Sequence, residues 1–226
     1  MWYNRYIKRD WGLNVKYYHM TSLTRLNSIC KEGLTPRNEE NSKLIGDTKI
    51  KVFFSEGFEG AIALFVDFDI VYREIKNGTR KLKDEILENK IKGSKTLQEF
   101  LEDGIYLQFD GMNIKNERNF ENGCTSETIL PEKLNVCVLK NKQNNSIIFS
   151  RFEIIKYMMS KIEPKDIKYY GATYSGSPNF DDATKRIQEK VNMYYNTHIK
   201  EIEKYKKDSY VLEYIPIAYF VNVYLK

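Results

Sequence analysis

The sequence predicts an α+β protein, and three observations predict it. Short blocks of bulky and β-branched residues are bounded by turn residues, apolar positions recur every three to four residues between them, and helical periodicity dominates the last third. With 226 residues and 42% hydrophobic content, the chain suffices for one medium domain, or a domain with an appended helical part, around a packed core. The expected organisation is an α+β core over residues 1–148, interrupted by a Lys/Glu-rich helical excursion at 79–103, with a helical part at 149–226 packed on it.

The first block, Tyr18-His19-Met20-Thr21-Ser22, reads as a strand that delivers the polar dyad His19 and Thr21 to a short helix carrying Leu23, Leu26 and Ile29. Gly33 can close that helix in the left-handed conformation, and Pro36 prevents its resumption. A histidine beside a helix N-terminus suits a ligand such as a phosphate or pyrophosphate. Equally, Thr21 or Ser22 could simply cap the helix, with His19 a hydrogen-bonded edge residue.

Arg37 to Thr48 is polar and reads as a loop over that site, after which Lys51-Val52-Phe53-Phe54-Ser55 forms a second strand. Ala61, Leu64, Phe65, Phe68 and Val71 or Tyr72 then mark a helix that stops at Asn77-Gly78. Gly104 to Phe109 alternates as a third strand and turns at Asp110-Gly111. Thr125 to Leu130 is expected to be a fourth strand with Thr125, Glu127 and Ile129 on one face, ahead of Pro131 and a further strand, Val136 to Leu139. A carboxylate among small hydroxyl residues can point into a cleft, although the wet face of an antiparallel strand is the commoner place for a glutamate.

Ser150 and Glu153 have capping-box spacing ahead of Ile154, Ile155, Tyr157, Met158 and Ile162, so a helix starts there. Tyr174 to Pro178 reads as a hinge before a long amphipathic segment headed by Asp181 and Asp182. Its stripe of Ala183, Ile187, Val191, Tyr194 or Tyr195, His198, Ile202 and Tyr205 reads as core or interface, and an exposed tyrosine-rich stripe over 181–205 would favour a homodimer. Tyr214 to Leu225 closes the chain as an extended or helical segment.

Composition excludes several classes. No run approaches the roughly 18 apolar residues of a membrane span, and residues 1–9 lack the apolar core of a secretory signal, so a cytoplasmic protein with no membrane partner is expected. Three scattered cysteines and two histidines argue against a disulfide framework and a structural metal. The net charge of +5, from 36 basic and 31 acidic residues, permits an acidic partner without demanding one. The abundance of Lys, Asn, Ile and Tyr reads as the codon bias of an AT-rich genome, in keeping with a bacterial or phage source.

The order His19-x-Thr21-Ser22 with Leu26-x-x-Ile29-x-x-x-Gly33-Leu34, then Phe53-Phe54-Ser55 leading to a helix, then Glu127 before Pro131, resembles the ADP-ribosyltransferase superfamily over about residues 15 to 140. That resemblance implies a split antiparallel sheet with an NAD-type cleft, NAD as substrate and no metal. By position, His19 is similar to the residue that hydrogen-bonds the ribose hydroxyls of NAD, with Thr21 close to it. Phe54 and Ser55 resemble the aromatic wall and small hydroxyl that flank the nicotinamide, and Glu127 resembles the catalytic glutamate.

The residue types suit the chemistry. Cleavage of the nicotinamide–ribose bond develops an oxocarbenium-like cation, which a fixed carboxylate stabilises more than it stabilises the ground state. An imidazole suits sugar hydroxyls because one ring nitrogen donates while the other accepts, and an aromatic wall stacks on the departing base. Thr125 stands where arginine-directed toxins of the superfamily carry an acidic residue or Gln, which weighs against arginine as the acceptor; the second motif has Phe-Phe where a Tyr is common. The acceptor is expected to be a protein or a nucleic acid, chosen by the loops at 37–48 and 110–123.

Two other classes fit the same chain. A nucleic-acid-binding module would use basic residues such as Arg5, Lys8, Arg9, Lys185, Arg186, Lys190, Lys204, Lys206 and Lys207, with tyrosines for stacking. A non-catalytic interaction protein, such as a phage or mobile-element accessory, would use the stripe at 181–205.

Overall fold

The computed structural model describes residues 15–36, 51–81, 104–111, 114, 122–167 and 180–225. The loop at 37–48, most of the excursion at 79–103, the hinge at 174–178 and the basic residues Arg5, Lys8 and Arg9 lie outside the described residues.

Seven antiparallel strands form one open sheet. β1 (Lys16–Ser22) runs through a 3₁₀ turn, Leu23–Arg25, into α1 (Leu26–Glu32). β2 (Val52–Glu56) passes at Gly57 into α2 (Gly57–Lys76), and β3 (Gly104–Asp110), β4 (Asn122–Thr125), β5 (Asn135–Asn141) and β6 (Ile147–Ile148) follow. α3 (Arg151–Lys161), α4 (Phe180–Thr197) and α5 (Ile199–Glu203) precede β7 (Tyr210–Pro216) and α6 (Ile217–Tyr224).

The strand order is β4-β2-β1-β3-β5. β7 pairs along all of β5, from Asn135↔Pro216 to Asn141↔Tyr210. β3 and β6 therefore share the other edge of β5, at Asn135–Val136 and Leu139–Lys140 respectively. The chain's closing segment is thus both extended and helical, and its strand belongs to the sheet.

Helices cover both sheet faces, and the alternation of each strand sorts its side chains between them. Tyr18, Tyr106, Cys137 and Leu139 pack against α2, α3, α4 and α5 through Ile62, Phe65, Ile155, Met158, Val191 and Ile202. Tyr17, Phe54, Leu107, Phe109 and Val136 pack with α1 and α6 through Leu26, Ile29, Ile217 and Phe220. β3, central and covered on both sides, is buried along its length except at Asp110, so it has no wet face.

The amphipathic stripe of the last third is spent inside this core: Ile187, Val191, Tyr194, Ile202 and Tyr205 are buried. It does not form the exposed tyrosine-rich face that would favour a homodimer. Met193, at 56% exposure, lies off the stripe. The helix also breaks at His198, which is half-buried and stacks on Tyr194 at 4.4 Å. No helix among the described residues is long and apolar enough to cross a membrane.

The capping box expected at Ser150 does not form, since Ser150 makes no side-chain cap. Its Glu153 instead accepts hydrogen bonds from Lys156 of the same helix at 2.8 Å and from the Tyr205 hydroxyl just beyond α5. Lys156 also pairs with Glu201 on α5, which clamps α3 to α5. Burial opposes ionisation of Glu153, but the hydrogen bonds from Lys156 and Tyr205 outweigh it and hold the carboxyl below its ordinary range. Glu201 is lowered by its hydrogen bond to Lys156. Depressed carboxylates contribute stability that is present above the unfolded value of about 4.3 and is lost as pH falls through the folded value. Lys156→Met is expected to cost on the order of 2 kcal/mol at pH 7 by taking a shared cation from Glu153 and Glu201. In melts from pH 7 to pH 3 the gap to wild type should narrow towards acid; a gap that is constant with pH would contradict this role.

Candidate functional site

Antiparallel pairing brings the C-terminal end of β1, the N-terminal end of β2 and the C-terminal end of β4 to one end of the sheet. Thr125 of β4 is in register with Val52 of β2. On the other side of β2, the β1 pairs are Tyr17↔Glu56 and Tyr18↔Ser55. The segments carrying His19, Phe54 and Glu127 therefore lie in the spatial order third, second, first.

His19 is half-buried, and its Nδ1 lies 2.7 Å from the Phe53 carbonyl oxygen. A carbonyl oxygen only accepts, so Nδ1 carries the hydrogen of this bond. The imidazole thus does the work of a ladder donor just past the last β1–β2 register pairs, and the strand end orients the ring. Thr21 shares the His19 face but is sealed at 3% exposure beside Ile105. Ser22 makes no helix cap; its Oγ lies 2.9 Å from Thr24 Oγ1.

The second segment divides between the two faces. Phe54, 1% exposed, sits in an aromatic cluster with Tyr17 at 4.5 Å and Phe109 at 5.4 Å between ring centroids. Ser55, also 1% exposed, is in register with Tyr18 and so faces the α2–α5 layer, away from His19. The half-buried aromatic of this strand is Phe53.

Glu127 is not on a strand. β4 ends at Thr125, whose Oγ1 accepts the Glu127 N–H at 3.1 Å in a side-chain-closed turn. The chain bends at Ser126 and Glu127, both exposed, and returns at Ile129 to form a two-bond bridge with Leu34. Those bonds are 2.9 Å, Leu34 N–H to the Ile129 carbonyl, and 3.0 Å in the reverse sense. Alternation from Thr125 through Ile129 fails because the threonine hydroxyl competes for the backbone. From the head of β2, Lys51 Nζ donates to Ser126 Oγ at 2.6 Å.

Sequence reasoning missed Lys51, the Phe53 carbonyl and the Thr125 hydroxyl. The Thr-x-Glu spacing, with a hydroxyl two residues before an N–H, was the available signal for the turn. The pairing of Lys51 with a residue 75 positions away leaves no local trace.

By fold and site this is a mixed α/β protein with an open seven-stranded antiparallel sheet and polar residues gathered at one sheet end. No family model matches the chain, and no solved structure matches it. It is similar to a translation initiation factor IF-2 of Azobacteroides pseudotrichonymphae genomovar. CFP2, 27% identical over 100 residues, which are 43% of this chain and 11% of that protein. The chain thus spans about one tenth of the length of that curated relative.

Proposed function

We propose that the protein transfers ADP-ribose from NAD to a protein or nucleic-acid acceptor with release of nicotinamide. The observation that carries the reading is the convergence of the His19, Phe53–Phe54 and Ser126–Glu127 segments on one end of the sheet, in the order β4-β2-β1. His19, its ring oriented by the Nδ1 contact to the Phe53 carbonyl, is the group that holds a ribose hydroxyl. Glu127, exposed at the bend, supplies the negative charge that stabilises the oxocarbenium-like transition state and holds the attacking group through the ribose hydroxyl. Phe54 and Thr21 support this end of the sheet from within the core, and Ser55 is buried on the other face of β2.

Calorimetric titration of NAD onto the wild type and His19→Ala tests the binding half. Wild type is expected to bind, and the variant to bind about tenfold or more weakly, a loss of at least ~1.4 kcal/mol. Equal binding by both proteins, or no heat from either at millimolar NAD, would contradict the assignment.

A further inference from the structure

We infer that Lys51 is a positioning residue for Glu127, and that the start of β2 sets the spacing between the two polar centres of the site; this rests on the transferase reading. Two contacts converge on this short stretch from opposite sides. The Phe53 carbonyl fixes the His19 ring from the β1 side. Two residues earlier, Lys51 Nζ fixes Ser126, the neighbour of Glu127, from the β4 side. The bend itself spans residues 126–128, between the end of β4 and the Ile129–Leu34 bridge. Its inner hydrogen bond, Glu127 N–H to Thr125 Oγ1, is local to β4 and sets no distance to β1. The lysine contact does set one, because it ties the bend to the strand that also holds His19. Lys51 is half-buried at the head of β2, and its ammonium reaches the exposed bend. Small displacements of a catalytic carboxylate cost about 10²-fold per ångström, so a slackened bend is felt in turnover rather than in NAD binding.

The experiment follows nicotinamide release by wild type, Lys51→Met, Lys51→Arg and Ser126→Ala. Ser126 is exposed, so its variant removes the same contact without disturbing the core. Lys51→Met and Ser126→Ala are expected to lower kcat about tenfold while the KM for NAD shifts less than about twofold, and Lys51→Arg is expected to recover most of the loss. Unchanged kcat in Ser126→Ala and in a folded Lys51→Met would overturn the inference alone. A rise in KM with kcat preserved would also overturn it, by making Lys51 an NAD contact. A wild type that releases no nicotinamide would sink the transferase reading, and this inference with it.

Discussion

Phe54→Ala is expected to lower the unfolding free energy by about 3–5 kcal/mol, the range for truncating a fully buried phenylalanine. The ring is enclosed by Tyr17 and Phe109 on the sheet face that α1 and α6 cover, so its removal leaves a cavity that strands on both sides of β2 resist closing. Edge-to-face and tilted ring contacts add to the simple loss of buried area. Urea denaturation measures the effect directly; a loss below about 1 kcal/mol would mean that the ring is not sealed in the core. The same burial predicts that Phe54→Leu, which keeps most of the volume, retains both fold and activity.

Gly33→Ala is expected to cost about 3 kcal/mol, for two reasons that add. The residue has φ 79° and ψ −176°, an extended positive-φ conformation open essentially to glycine alone. A Cβ there would also run into the Ile129 carbonyl oxygen. Relieving that overlap breaks the two-bond bridge between Leu34 and Ile129, and with it the return of the Glu127 bend to α1. Stability and activity should therefore fall together in Gly33→Ala, whereas in Ser126→Ala activity alone falls. A variant as stable as wild type in urea would contradict the conformational argument.

Much of the fold was legible where local signals were strong. The strand–helix unit at 16–32 was marked by one polar dyad, an apolar helical run and Gly33-x-x-Pro36. The α2 stop at Asn77-Gly78 was equally plain, Gly78 having φ 74°. The conformation of Gly33 was half read: φ is positive, but ψ is extended rather than left-handed helical. What failed did so through competition between neighbours or through distance in sequence. The Thr125 hydroxyl ended β4 two residues before Glu127. The partners of Glu153, Lys156 on its own helix and Lys204 and Tyr205 just beyond α5, overrode its local capping spacing. Alternation alone puts Phe54 and Ser55 on opposite faces, but which of them shares the His19 face depends on the register of β2 with β1, which no local pattern specifies.

For the candidate site, residue identities were legible but their supports were not. His19 and Glu127 stand out as chemistry-bearing types beside turn signals. The Phe53 carbonyl that orients the His19 ring is a backbone atom, and Lys51 looks in sequence like any solvated lysine. Both gain meaning only once β2 lies between β1 and β4.

The most direct test of the central reading is nicotinamide release from NAD by wild type and Glu127→Gln, with both proteins shown to melt alike. Glu127 is exposed, so the isosteric substitution should leave the fold intact. The account predicts release by wild type and a loss of about 10²-fold or more in Glu127→Gln, the scale on which removal of one preorganised transition-state contact is felt. Equal release by the two proteins would contradict it.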